Sequence, residues 1–155
     1  MNISAPALDS IAALKARSAS AVQPLRVAFA SGGTGGHLYP GLAVARAVMD
    51  GRADSKCLFL ISEKPVEAKI LASSEFEYFA LPSCPPKWGS LLGFAGKSWE
   101  GYRRALAVFR RFRPQALVAL GGFASFAPVL AARTLGIPVL VQEQNAVAGR
   151  ANLAL

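Results

Sequence analysis

The chain has 155 residues, 53% of them hydrophobic and 17% charged, which excludes a disordered or fibrous polymer and suits one domain with a full core. Seventeen Lys and Arg against nine Asp and Glu leave a formal charge of +8, a bias that favours anionic partners. Two cysteines are too few for a disulfide framework, and Cys57, inside the apolar run Cys57–Ile61, reads as a packed thiol in a reducing compartment, while Cys84 precedes Pro85-Pro86 in a loop. In chain order, residues 1–24 are rich in Ala and Ser and read as a poorly ordered extension or a short amphipathic helix. No continuous apolar segment follows a basic start there, which argues against a secretory signal, and a weak organelle-targeting reading survives. Leu25–Ala30 predicts a buried strand, and Pro40–Met49 a helix with Pro40 in its first turn. Lys56–Ile61 predicts a second strand, Pro65–Ala72 a short helix, Glu77–Leu81 a third strand and Leu91–Phe112 a long helix. Ala116–Leu120 predicts a fourth strand, Ser125–Leu135 a helix, Pro138–Val141 a fifth strand, and a last helix starts near Gly149. The uncharged stretch Pro114–Ala132 is interrupted by Gly121-Gly122 and Pro128, so strand, loop and helix fit it better than a membrane span.

Strands alternating with helices, and apolar on both faces, predict a parallel sheet covered on each side, a Rossmann-like doubly wound α/β domain. Such sheets bind ligands at the carboxyl ends of their strands. Three loops meet that condition: Ser31–His37, Gly121–Ser125 and Gln142–Gly149.

The first loop, Ser31-Gly32-Gly33-Thr34-Gly35-Gly36-His37, lies between strand and helix, where backbone N–H groups and a helix N-terminus converge on an anion. It is not a Walker A loop, because Gly36 is followed by His37-Leu38 and not by Lys-Ser/Thr. A dinucleotide fingerprint starting at Gly33 would place its third glycine at Leu38, although Glu63 sits where a ribose-binding acid could lie. His37 is the only histidine of the chain, which makes it the one imidazole available at the loop. In the second loop Ser125 suits a helix N-cap, and Ala127 breaks a Gly-x-Ser-x-Gly elbow. The third, beginning Gln142-Glu143-Gln144-Asn145, gathers an acid and amides suited to sugar or phosphate hydrogen bonding.

Together the three segments resemble the N-terminal domain of the MurG glycosyltransferases, glycosyltransferase family 28. The first is similar to the family's Gly-Gly-Thr-Gly-Gly-His-x-x-Pro-Gly-Leu-Ala, the second to Gly-Gly-Tyr-x-Ser, and the third to His-Glu-Gln-Asn, over a region from about Leu25 onward. The resemblance implies the N-terminal half of a GT-B fold and transfer of N-acetylglucosamine from UDP-N-acetylglucosamine to undecaprenyl-pyrophosphoryl-N-acetylmuramyl-pentapeptide (lipid I), giving lipid II for peptidoglycan. It implies substrate-binding roles for Thr34, Gly35, Gly36, Gly121, Gly122, Ser125 and Asn145, with His37 and Glu143 as catalytic candidates, His37 as general base or acceptor-positioning group. UDP-N-acetylglucosamine enters as donor substrate, no cofactor is implied, and no metal is expected because no ligand cluster appears. Two residues depart from the pattern: Phe123 stands where the family has tyrosine, and Gln142 where it has histidine.

The family's second, donor-binding domain has no counterpart in residues 25–155, so the expectation is either a fragment or one half of a split enzyme whose other half is a separate subunit. The alternative function is a non-catalytic membrane-docking or acceptor-binding subunit of such a split enzyme. In the long helix Arg103, Arg104, Arg110 and Arg111 share one face, and Tyr102, Ala105, Leu106, Phe109 and Phe112 lie opposite, toward the sheet. Upstream, Trp88, Leu91, Leu92 and Phe94 stand among Lys87 and Lys97, a composition suited to an anionic lipid surface. With the resemblance, this implies a lipid-linked acceptor and a cytoplasmic, peripheral location on the inner face of the cell membrane. Nucleic acid is not expected as a partner, since no recognition motif accompanies the basic charge.

Overall fold

A computed structural model of the chain describes residues 24–32, 35–83 and 91–143. The predicted extension up to residue 23, Cys84, Trp88, Thr34, Asn145 and the helix expected near Gly149 lie outside the described residues.

Five parallel strands form one sheet in the order β3-β2-β1-β4-β5. They are β1 (Arg26–Ala30), β2 (Lys56–Ser62), β3 (Glu77–Leu81), β4 (Ala116–Ala119) and β5 (Val139–Val141). The connecting helices are α1 (Gly35–Gly51), α2 (Pro65–Ala72), α3 (Leu91–Phe112) and α4 (Phe126–Thr134). The Rossmann-like α/β expectation is met. Strand order runs outward from β1 in both directions, so the β1–β4 boundary is the topological switch point, where ligands of open α/β sheets bind.

Alternation along β1 sets the two layers. Phe29 points to the α1 side, stacked on Phe59 with centroids 4.8 Å apart, and the cluster is completed by Leu38, Leu42, Leu71 and Phe76. Ala28 and Ala30 point the other way, beneath Ala105 and Phe109 of α3 and Ala131 and Ala132 of α4. Small side chains on this face let α3 and α4 approach the sheet. A Cβ on Gly101 would sit 2.8 Å from the Pro82 carbonyl, so α3 is held tight against the end of β3. The apolar stripe of α3 falls as its spacing predicts, with Ala105 and Phe109 buried, and with Arg103, Arg104, Arg110, Arg111 and Arg113 exposed. Full burial of a side chain such as Phe109 contributes about 1.5–3 kcal/mol.

Three expectations change. The first helix begins at Gly35, five residues before Pro40, so Pro40 lies inside it and has no N–H to give the Gly36 carbonyl. The helix expected from Ser125 begins at Phe126, after a 3₁₀ turn over Phe123–Ser125. The sheet is covered on both faces only at its centre. In β3 all residues but Leu81 are exposed, and Leu140 and Val141 of β5 are exposed. The uncharged stretch 114–132 is β4, the turn and most of α4, and among the described residues no helix is long and apolar enough to cross a membrane.

Candidate functional site

The loops after β1 and β4 are pressed together at the switch point. Leu120 N donates to Ala30 O at 2.8 Å, extending the β1–β4 ladder to the start of both loops. Gly32 then meets the turn after β4, where a Cβ would overlap Ala124. From the other side, Gly122 (φ +83°) lies so close to Gly32 that a Cβ would strike its carbonyl oxygen. Gly122 thus needs glycine twice, for its left-handed backbone and for the approach itself. In the second turn of α1, a Cβ at Gly41 would overlap the Leu120 side chain, which packs α1 down onto the end of β4.

Side-chain hydrogen bonds brace the same corner. Ser125 is fully buried, and its Oγ donates to Ala30 O (2.9 Å) and Gly121 O (2.8 Å). It makes no side-chain cap bond to α4, so the capping expectation gives way to a brace between two strand ends. On the far side of β1, Glu67 of α2 is fully buried and accepts from Ser31 Oγ (2.9 Å), Ser62 N (3.2 Å) and Ser62 Oγ. Ser31 N also donates to Leu60 O at 2.9 Å. One carboxyl group therefore binds the last residue of β2 to the first residue of the glycine loop. Sequence reasoning missed Glu67; the available signal was an acid within the apolar turn Pro65–Leu71, which a short amphipathic helix would normally keep outside.

Of the predicted site residues, Gly35, Gly36 and His37 form the first turn of α1, with Gly36 exposed and His37 half-buried. Gly121 and Gly122, both at positive φ, lie directly across from the first loop. Glu143 follows β5, where Gln142 N donates to Ala119 O at 2.8 Å, and both residues are half-buried. Three adjacent strands, β1, β4 and β5, are thus followed by the segments that carry His37, the glycine pair and Glu143. Backbone N–H groups at the start of α1 and a neighbouring imidazole can hold an anion and exchange a proton beside it. Phe123 is 48% exposed beside the glycine pair, and Phe126, 40% exposed, packs on Phe94 with centroids 6.5 Å apart. Phe94 alone among the four residues expected at a lipid surface has a described side chain.

Away from the site, the buried Cys57 thiol faces the Ala45 carbonyl (3.7 Å), and burial, with a smaller contribution from Glu75, pushes its pKa up to about 11. That agrees with a packed thiol. The Arg104–Glu100 pair on the basic face of α3 is about half exposed and contributes little to stability.

The model of the glycosyltransferase family 28 N-terminal domain matches residues 27–155. The chain belongs to glycosyltransferase family 28. Its relatives in the family include the UDP-N-acetylglucosamine--N-acetylmuramyl-(pentapeptide) pyrophosphoryl-undecaprenol N-acetylglucosamine transferase of Nitratidesulfovibrio vulgaris, 42% identical over 132 residues, and that of Pelobacter propionicus, 37% identical over 134. Each alignment covers 84% of this chain and 35% of the relative, so the chain spans about a third of the length of the curated relatives it matches. Among solved structures, Acinetobacter baumannii MurG superposes with a TM-score of 0.73 at 28% identity, over 84% of this chain and 38% of that one. The UDP-GlcNAc 2-epimerase of Neisseria meningitidis superposes with a TM-score of 0.57 at 18% identity, over 77% of this chain and 32% of that one, a likeness of fold alone. The five-stranded sheet is the Rossmann-like arrangement of the GT-B glycosyltransferases such as MurG.

Proposed function

We propose that the chain is the acceptor-side part of a hexosyltransferase that moves N-acetylglucosamine from UDP-N-acetylglucosamine to lipid I, giving lipid II. The observation that carries this reading is the interlocked pair of glycine loops at the β1–β4 switch point, with His37 on one and Glu143 beside the other. Backbone N–H groups of Gly35, Gly36, Gly121 and Gly122, with Thr34, hold a diphosphate. His37 takes the proton from the acceptor hydroxyl as its oxygen bonds to the anomeric carbon and the bond to UDP breaks. Glu143 orients the imidazole or the acceptor, and Asn145 contacts the donor sugar. Ser125, whose hydroxyl is engaged with two carbonyls, acts by holding the loops. The uridine and the rest of the diphosphate belong to a donor-binding domain supplied by further sequence or a separate subunit. Trp88, Leu91, Leu92 and Phe94 face the anionic inner leaflet, which keeps the lipid-linked acceptor within reach from the cytoplasmic side.

The test combines the chain with the donor-binding half of a relative and measures UDP release with lipid I. The expected outcome is turnover that falls about a hundredfold or more in His37→Ala. Turnover unchanged in that variant removes the base from His37. Absence of turnover with intact lipid I binding favours an acceptor-docking subunit.

A further inference from the structure

A groove among the described residues lies at the opposite, amino-terminal edge of the sheet, outside the site above. Strands of five to seven residues put it about 17–23 Å from the glycine loops. It opens between the starts of β1, β2 and β3 and the last turns of α3, with Phe79, Val108 and Phe112 among its apolar walls. Phe79 is 46% exposed on the edge strand.

Polar groups converge on this apolar surface. Arg26 and Lys56 are register partners on neighbouring strands. Ala30 and Leu60, four residues further along each strand, face α3 and α4, and so both cations lie on that face too. Arg111 reaches the groove from α3. Like charges side by side on paired strands repel, and none of the three forms an ion pair with a described residue. Two buried polar atoms of residues that line the groove have no hydrogen-bond partner among the described residues: Arg26 Nε and the Oγ of Ser55, a residue only 5% exposed. Such atoms are costly to leave unpaired. Glu75 and Glu77 also line the groove, and they disfavour an anion beside them, which directs it to the Arg26–Lys56 end.

We propose that this groove binds a small amphiphilic anion, a phosphate-type group carried on a flat apolar body. The charged end is held by Arg26, Lys56 and Arg111, and the apolar body lies on Phe79 and Phe112. The site is independent of the transferase reading, since it shares no residue with the loops.

The probe is 1-naphthyl phosphate, titrated into the isotopically labelled chain and followed by amide chemical shifts, with inorganic phosphate in parallel. Saturable shifts are expected at Arg26, Ser55, Lys56 and Glu77 and none at Gly121 or Gly122, with phosphate alone binding about tenfold more weakly because it lacks the apolar contact. Lys56→Glu and Arg111→Glu are each expected to weaken the probe by about tenfold while the spectrum stays dispersed. Lys56→Gln and Arg111→Gln, with smaller losses, serve if a charge reversal fails to fold. No saturation, shifts confined to residues 120–125, equal affinity for phosphate alone, or unchanged affinity in both charge variants overturns the proposal.

Discussion

Glu67 accepts the Ser31 hydroxyl proton at 2.9 Å and thereby fastens α2 to the first residue of the glycine loop. Its other oxygen takes the Ser62 amide and hydroxyl, so removing the side chain leaves three donors without this acceptor in a dry interior. Glu67→Ala is expected to lose about 2–4 kcal/mol in urea unfolding, and Glu67→Gln about half of that, since one carbonyl oxygen remains. A loss below about 1 kcal/mol for the alanine variant would show that the clamp does not hold the corner.

The two glycine loops tolerate no added carbon where they touch. Gly122→Ala must absorb both a left-handed backbone and a collision with the Gly32 carbonyl, so we expect a loss of more than about 2 kcal/mol. Gly96 gives the contrast: it lies inside α3, and a Cβ there meets nothing within 4 Å. Gly96→Ala is expected to stabilise the chain by about 0.5–1 kcal/mol. Thermal unfolding of the pair checks both signs, and equal effects would contradict the packing described.

Cys57 predicts an alkaline signature. Its folded pKa of about 11 is raised above the ordinary value of 9.0, so the folded state holds the thiol proton more tightly than the unfolded state. The corresponding stability is fully present below pH 9 and drains away as pH rises toward 11. Cys57→Ser is expected to flatten that part of the stability–pH curve. A thiol reagent at neutral pH should label Cys57 only at the rate at which the chain opens; immediate labelling under native conditions is the contrary result.

The lipid surface proposed around Trp88, Leu91 and Phe94 is tested by flotation with anionic vesicles. Replacing the three by Ser should reduce the floated fraction several-fold, and raised salt should reduce what remains by screening Lys87 and Lys97. Unchanged flotation in the triple variant removes the surface from this segment.

Much of the scaffold was legible in the residues. Apolar runs bounded by Pro, Gly and charged residues marked α2, β3 and α3 at the bounds found, and three polar or glycine-rich loops marked the carboxyl ends of β1, β4 and β5. Proline misled at α1: its preference for a first turn put the helix start at Pro40, whereas the glycines ahead of it were already helical. What stayed hidden was set by contacts between distant parts of the chain. Ser125 reads locally as a cap, whereas its hydroxyl turns inward to the Gly121 carbonyl and to that of Ala30, 95 positions away. Glu67 reads locally as an exposed acid of a short helix, and two serines brought in by the sheet make its burial possible.

The strand order has a consequence for synthesis. β1 leaves the ribosome before β2, β3 and the long α3, yet one of its two sheet neighbours is β4, which follows them all. Through all that time one edge of β1 is open, and its glycine loop lacks the wall that Gly122 and Ala124 provide. Contacts of such long range form slowly and late. The corner between the two glycine loops is thus completed only after β4 and its turn are made, closed when Ser125 arrives to take the Ala30 carbonyl.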